Sequence, residues 1–447
     1  MAQTVTLQQS KLFLGAAGAR IGAGGGLVGL FALATAAYFG LSGDLMRKHF
    51  FHSYLFAYVL FLSLSLGALF FVLLHHLTRA GWSVTVRRIA EALSMNIFLM
   101  AILALPLLSG LHELFHWTHP EAVEADPILQ GKSPYLNMPF FLLRLAGYFA
   151  FWCFMAWFYR SQSVRQDSTG DPRHSLNMEK LSAPGMILFG FSITFFFFDW
   201  VMGLNAHWFS TIFGVYFFAG CALGGISLTV LIALWLRQRG LVGPVINNEH
   251  YQDLGKLMFA FTFFWGYIAF SQYMLIWYSN MPEETQFYIP RQLGVWGVMA
   301  IVLVFVHLLI PFPGLLSRHV KRRNALLAFW AVWSICAHAL DMYWLIIPAQ
   351  WINEIPERVG NSHMLLPNAL PKLIDSTRNV YMLSPQYAGF SQRIDFAFGP
   401  RSLLVTAACL VGIGGLYLFT TMLALRGCAL VPLKDPRLAE SLKFENI

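Results

Sequence analysis

Long apolar runs alternate with short polar stretches along almost the whole chain. The runs cover residues 21–41, 53–77, 91–111, 138–159, 183–204, 208–236, 254–278, 292–316, 325–350 and 401–425. A helix needs roughly 20 apolar residues to cross a hydrocarbon core, and each run supplies that length. Strands of a membrane barrel are only about half as long, and lipid offers an unpaired backbone no partner. The pattern therefore predicts an all-α polytopic membrane protein: one integral membrane domain over 1–447 with about ten transmembrane helices. Arg20 precedes the Gly-rich first run, where a long side chain reaches back to the interface.

The polar stretches set the orientation. Arg79, Arg87 and Arg88 lie in 78–90; Arg160, Arg165, Arg173 and Lys180 in 160–182; Arg237, Arg239 and Lys256 in 237–256; Arg318, Lys321, Arg322 and Arg323 in 317–324. The tail adds Arg426, Lys434, Arg437 and Lys443. Three alternate loops are poor by comparison, with Lys132 alone in 112–137, Arg291 alone in 279–291 and no lysine or arginine in 205–207. Cytoplasmic loops carry the excess of such residues, so both termini are predicted to be cytoplasmic. The segment 351–400 and the acidic loop 112–137 then lie outside, and their length suggests docking surfaces. The N-terminus is polar and shows no small-residue cleavage site, so no removable signal peptide is expected.

Composition agrees. The chain is 57% hydrophobic and 12% charged, with a mean hydropathy of +0.58, where soluble domains carry about 25% charged residues. The net charge of +8 belongs to the loop asymmetry, which argues against a nucleic-acid partner. Cys153, Cys221, Cys336, Cys409 and Cys428 have no metal-ligand spacing and read as small apolar residues.

A weak internal repeat is visible. Residues 53–74 laid on 210–231 align Ser53 with Ser210, Phe56 with Phe213, Phe61 with Phe218, Leu66 with Leu223, Gly67 with Gly224 and Leu74 with Leu231. Glu91 and Asp253 each precede the next run, Pro139 and Pro290 each open the one after, and Asp199 and Asp341 fall at similar depth in the fourth. Two four-helix bundles follow, over 53–204 and 208–350, plus peripheral helices at 21–41 and 401–425. An even number of helices per unit makes the repeat parallel.

Ionisable groups inside a bilayer cost several kcal/mol and so mark function or helix pairing. Asp199, Asp341, His338, His307 and Arg144 are the intramembrane candidates. His338 precedes Asp341 by three positions and shares its helix face. Carboxylates and imidazoles joined by hydrogen-bonding side chains, such as those of Tyr267, Ser271, Gln272 and Tyr273, are a set that passes protons. The competing reading is a buried ion pair, Arg144 with Asp199, holding helices in register. His75 and His76 beside a basic loop read as solvated at the interface. Haem ligation is disfavoured because His307 and His338 lack partners at matching depth. His112, His116 and His119 form a spaced set outside, without the cysteines or second carboxylate of a metal centre. No dinucleotide, phosphate-loop or nucleophile motif appears; the abundant Phe, Trp and Tyr could line a slot for quinone or quinol, though no pattern marks one. The chain is expected to bind no haem, metal or flavin.

Three stretches carry a resemblance: HFFHSYLFAYVLFLSLSLGALFFVLLHHLTRAGWSVTVRRIAE at 49–91, FFFFDWVMGLNAHWFSTIFGVYFFAG at 195–220 and YQDLGKLMFAFTFFWGYIAFSQYMLIWYSNMPEETQFY at 251–288. They closely resemble the F subunits (ActF) of bacterial alternative complex III, which belong to the NrfD/polysulfide-reductase-like membrane subunits. The resemblance extends over nearly the whole chain. It implies a bacterial inner-membrane subunit of a quinol:cytochrome c or quinol:oxidase oxidoreductase, anchored beside periplasmic multihaem cytochrome and iron–sulfur subunits. It also implies a sister NrfD-like subunit better suited to quinol oxidation, and proton half-channels in this one. Two other classes fit the same residues: an independent proton-coupled transporter, and a structural anchor without proton conduction. Genes for redox partners beside this one separate the first from the complex, and mutants of the acids separate the second.

Overall fold

The computed structural model describes residues 12–446 apart from 244, 293 and 355–395. Most of the outer segment expected at 351–400 therefore lies outside the described residues. Those described form helices and connections, with no strand among them. Ten helices are long and apolar enough to cross a membrane. They are α1 Ala16–Gly40, α2 Asp44–Leu77, α3 Val84–Ser109, α4 Met138–Thr169 and α5 Arg173–Trp200. Then come α6 Phe213–Gln238, α7 Asn248–Ser279, α8 Gly294–Leu316, α9 Asn324–Ile346 and α10 Pro400–Arg426. The protein is an all-α, multi-pass membrane protein.

Helices α2 to α5 pack as one four-helix group and α6 to α9 as another, with α2 against α6 at the centre and α1 paired with α10 outside. Helices α2 and α6 are apolar on every face because both are enclosed: 89% and 83% of their most apolar windows are buried. Glycines set their approach. A Cβ on Gly67 would stand 1.7 Å from the Cys221 carbonyl oxygen, and one on Gly225 would stand 2.4 Å from the Gly67 carbonyl carbon. Between helices surrounded by lipid, small residues allow the backbone contact that packing requires.

Several boundaries depart from the hydropathy reading, each for the same reason. Helix α2 starts at Asp44 rather than at 53, because His49 and His52 turn inward and are buried. His49 meets Gln350, Ser53, Thr406 and the Ser402 carbonyl. Helix α3 starts at Val84 rather than at 91, and breaks at Met95, where the Asn96 amide bonds the Leu93 carbonyl and Thr421. Arg87, Arg88 and Glu91 thus lie inside a helix and are buried, not in an open basic loop. Arg88 pairs with Glu91 at 3.3 Å and Asp167 at 2.8 Å, and Arg87 pairs with Asp435 of the C-terminal tail at 2.5 Å. His75 and His76 are likewise buried, against the expectation of interfacial solvation. His75 bonds the Phe71 carbonyl, and the ring of His76 lies 5.2 Å from that of Tyr159.

Candidate functional site

The sequence-predicted residues fall into two sets, one in each bundle. In the first, Asp199 ends α5 and Arg144 stands in the opening turns of α4. The guanidinium spans the carboxylate, Nε donating to Oδ2 at 2.9 Å and Nη2 to Oδ1 at 2.8 Å. Tyr148 donates to Oδ2 at 2.9 Å. Arg144 also donates to the Tyr135 carbonyl and lies over the rings of Tyr135 and Phe140, 3.8 and 4.4 Å from their centroids. Asp199 is 1% exposed. Its charge is matched, its hydrogen bonds are made, and the aromatic rings hold the cation in place.

The second set has the same acid and no such cation. Asp341 of α9 is fully buried and accepts from the Tyr216 hydroxyl at Oδ1 and from the Trp265 indole at Oδ2, the latter at 3.1 Å. Among the described residues no lysine or arginine pairs with it. Fully buried His338 lies one turn earlier and contacts Ser63 of α2, 2.8 Å from Nε2 to Oγ. The Ser63 hydroxyl donates its one proton to the Leu60 carbonyl, 2.6 Å away. Ser63 can then only accept, so Nε2 of His338 carries the hydrogen. Its Nδ1 is left as a lone pair with no partner among the described residues. The ring fits a slot in α6: a Cβ on Gly220 would stand 2.5 Å from its Cε1.

His307 completes this set through a local irregularity. Residues Val304–Leu309 of α8 form a π-helical turn, with Ile310 N–H bonding the Phe305 carbonyl. Pro311 and Pro313 follow and have no N–H to donate, which removes two α-helical bonds. The Val306 carbonyl is satisfied by the Trp333 indole at 2.7 Å. The turn delivers His307 face to face with Trp265, ring centroids 3.7 Å apart, and 6.5 Å from the His338 ring. Neither ring nitrogen of His307 has a hydrogen-bond partner among the described residues. One ligand-capable atom from each of His307, His338 and Asp341 lies within 4.8 Å of the others.

Other sequence candidates take different places. Tyr267 is 59% exposed on the outer face of α7 and does not extend the set. Gln272 is buried, with Oε1 unpartnered among the described residues. His112, His116 and His119 do draw near one another, with ring centroids 5.2 Å apart for His112 and His119 and 6.2 Å for His116 and His119. Sequence reasoning missed Ser63, Tyr216 and Trp265 as members of the site. The Ser53–Ser210 alignment had drawn attention to α2 and α6, but nothing local marks which hydroxyl faces a histidine 275 residues away. It also placed Glu91 at a helix start, where the Arg-x-x-Glu spacing of Arg88 and Glu91 was a usable sign of a helical ion pair. Compared with family models and with curated proteins, the sequence matches none of them.

Proposed function

We propose that the chain is an integral membrane subunit of a quinol-oxidising respiratory complex of the alternative complex III type. In this reading it sits in a bacterial inner membrane with both termini cytoplasmic. It anchors periplasmic multihaem cytochrome and iron–sulfur subunits beside a sister NrfD-like subunit, and holds no redox centre of its own. Its second bundle passes protons through Asp341, His338 and His307. The three long stretches resembling ActF support the complex, and the lysine and arginine asymmetry supports the orientation.

One observation supports the proton step above the rest. Asp341 is a buried acid whose donors are a phenol and an indole, beside imidazole nitrogens with open lone pairs. A carboxyl with no cation to pin its charge exchanges a proton at smaller cost than one locked to a guanidinium. His338 takes a proton at Nδ1 and becomes an imidazolium, while its Nε2–H stays donated to Ser63 Oγ. The imidazolium returns to the neutral Nε2–H form when Nδ1 gives that proton to a neighbouring acceptor, His307 or the Asp341 carboxylate. Asp199 favours the anchoring role instead, because Arg144 matches its charge across both oxygens.

The test is Asp341→Asn, alone and with His338→Gln, in the assembled complex. Proton movement coupled to quinol oxidation should fall in each variant while partner composition is unchanged on a native gel. Unchanged coupled proton movement with both substitutions present would falsify the relay. Purification of the chain without any haem or iron–sulfur partner would remove the complex assignment.

A further inference from the structure

We propose that His307, His338 and Asp341 form a binding site for a divalent transition-metal ion of the zinc type. The ligands are a ring nitrogen of His307, Nδ1 of His338 and one oxygen of Asp341. This runs against the sequence expectation of no metal, which rested on unpaired intramembrane histidines and scattered cysteines. The fold brings them together.

Four features support the site. One ligand-capable atom of each residue lies within 4.8 Å of one on each of the others, and all three residues are buried. Three imidazole nitrogens there, both of His307 and Nδ1 of His338, have no partner among the described residues. Buried polar atoms left unpaired are rare and ask for an occupant. The tautomer is already correct: Ser63 holds the hydrogen of His338 on Nε2, as the second partner of a metal-bound histidine does. Asp341 is oriented by Tyr216 and Trp265 through one lone pair of each oxygen, leaving others open.

The donor set selects the ion. Two imidazoles and one carboxylate suit zinc and its neighbours, whereas magnesium and calcium require oxygen. Zinc sits about 2.0–2.2 Å from such donors, so they must draw in by roughly 1 Å. His307 supplies the movement, because its π-helical turn is the least regular part of α8. Two neutral imidazoles and one carboxylate leave one positive charge on the site, and loss of the Tyr216 proton beside Asp341 would cancel it. Binding therefore competes with protons and weakens in acid. Zinc in this place occupies the lone pairs that a proton relay needs.

The experiment uses the full chain with His112, His116 and His119 replaced by alanine, which removes the outer histidine set. The purified protein is exposed to zinc sulfate at pH 7.5, passed through a desalting column and counted for metal by mass spectrometry. One zinc per chain is expected, with at least a tenfold loss of affinity in His307→Phe and in His338→Ala. X-ray absorption of the zinc-loaded chain should show two imidazole neighbours, a readout that needs no further variant. A folded chain that retains no zinc, equal retention in both variants, or a shell of oxygen alone would each overturn the proposal. Metal counting does not involve proton movement, so this inference and the relay stand or fall separately.

Discussion

Arg144 holds Asp199 by two parallel contacts, Nε to Oδ2 and Nη2 to Oδ1, at 2.9 and 2.8 Å. Fork geometry of this kind fixes direction as well as charge. It joins the opening turns of α4 to the last turn of α5 and leaves the carboxylate no freedom. The matching acid of the second bundle, Asp341, has exchanged the guanidinium for a phenol and an indole. Asp199 and Asp341 have thus taken different partners.

The first prediction concerns that pair. Arg144→Met or Asp199→Asn alone leaves one buried group without its partner and should lower stability by about 3–5 kcal/mol. The double change Arg144→Met with Asp199→Leu should recover most of it, because two apolar groups leave no charge exposed to lipid. Thermal unfolding in detergent reads the difference, and an equal loss in the double variant would contradict the ion-pair account.

Ser63 should control the tautomer of His338. Ser63→Ala removes the acceptor of Nε2–H, at a cost of about 1–3 kcal/mol for the orphaned donor. Solid-state nitrogen NMR on labelled histidine should find His338 as the Nε2–H form in the wild type and as a mixture in Ser63→Ala. The same single tautomer in both would show that Ser63 does not set it.

Glycines at the centre and at the edge should behave differently. Gly67→Ala drives a Cβ into the Cys221 carbonyl and should prevent normal packing of α2 on α6. Gly220→Ala meets the His338 ring, which must tilt, at a cost of about 1–3 kcal/mol. Gly190→Ala has nothing within 4 Å and should leave the unfolding temperature unchanged. The ranking is checked by yield of monodisperse protein and by unfolding temperature.

Acid should loosen the outer loop. Asp126 accepts from the N–H groups of Ile128 and Leu129 and contacts His207 Nε2, tying the 120–132 helices to the α5–α6 turn. Desolvation pushes its carboxyl up, but the hydrogen bonds from His207 and Ile128 outweigh it and hold the group below its usual value. A carboxyl depressed in the folded state stabilises fully above its unfolded value and loses that contribution as pH falls through the folded one. Hydrogen exchange at 120–132, corrected for intrinsic rates, should therefore show steady protection from neutral pH down to about pH 4 and loss below it. Asp126→Asn should remove the dependence; a wild-type loop already unprotected at pH 6 would count against it.

The glycine and acid placements show how much could be read early. Gly67 and Gly224 align in the sequence because both lie where the first helices of the two bundles meet. In space Gly67 meets Gly225 and Cys221, while Gly224 faces Leu64 and His338. Hydropathy could find the helices but not their polar extensions: Arg88 and Glu91 look like a solvated boundary until Asp167 and the tail are seen to cover them. A buried polar residue and an exposed one are written with the same letter, and only its distant partners tell them apart.

Apolar length by itself determined that the chain spans a membrane as helices, since backbone groups in lipid have no other way to be paired. Residue type by itself singled out Asp199, Asp341, His338, His307 and Arg144, because charge in hydrocarbon is costly wherever it sits. What each of them does was decided by tertiary structure. Arg144 reached one acid and none of the described cations reached the other. Ser63 arrived from another bundle to set the proton on His338, and the π-helical turn of α8 swung His307 onto Trp265. Hydrogen bonds and ion pairs act over about 3 Å, and which groups come that close depends on helix packing that no local stretch of sequence records.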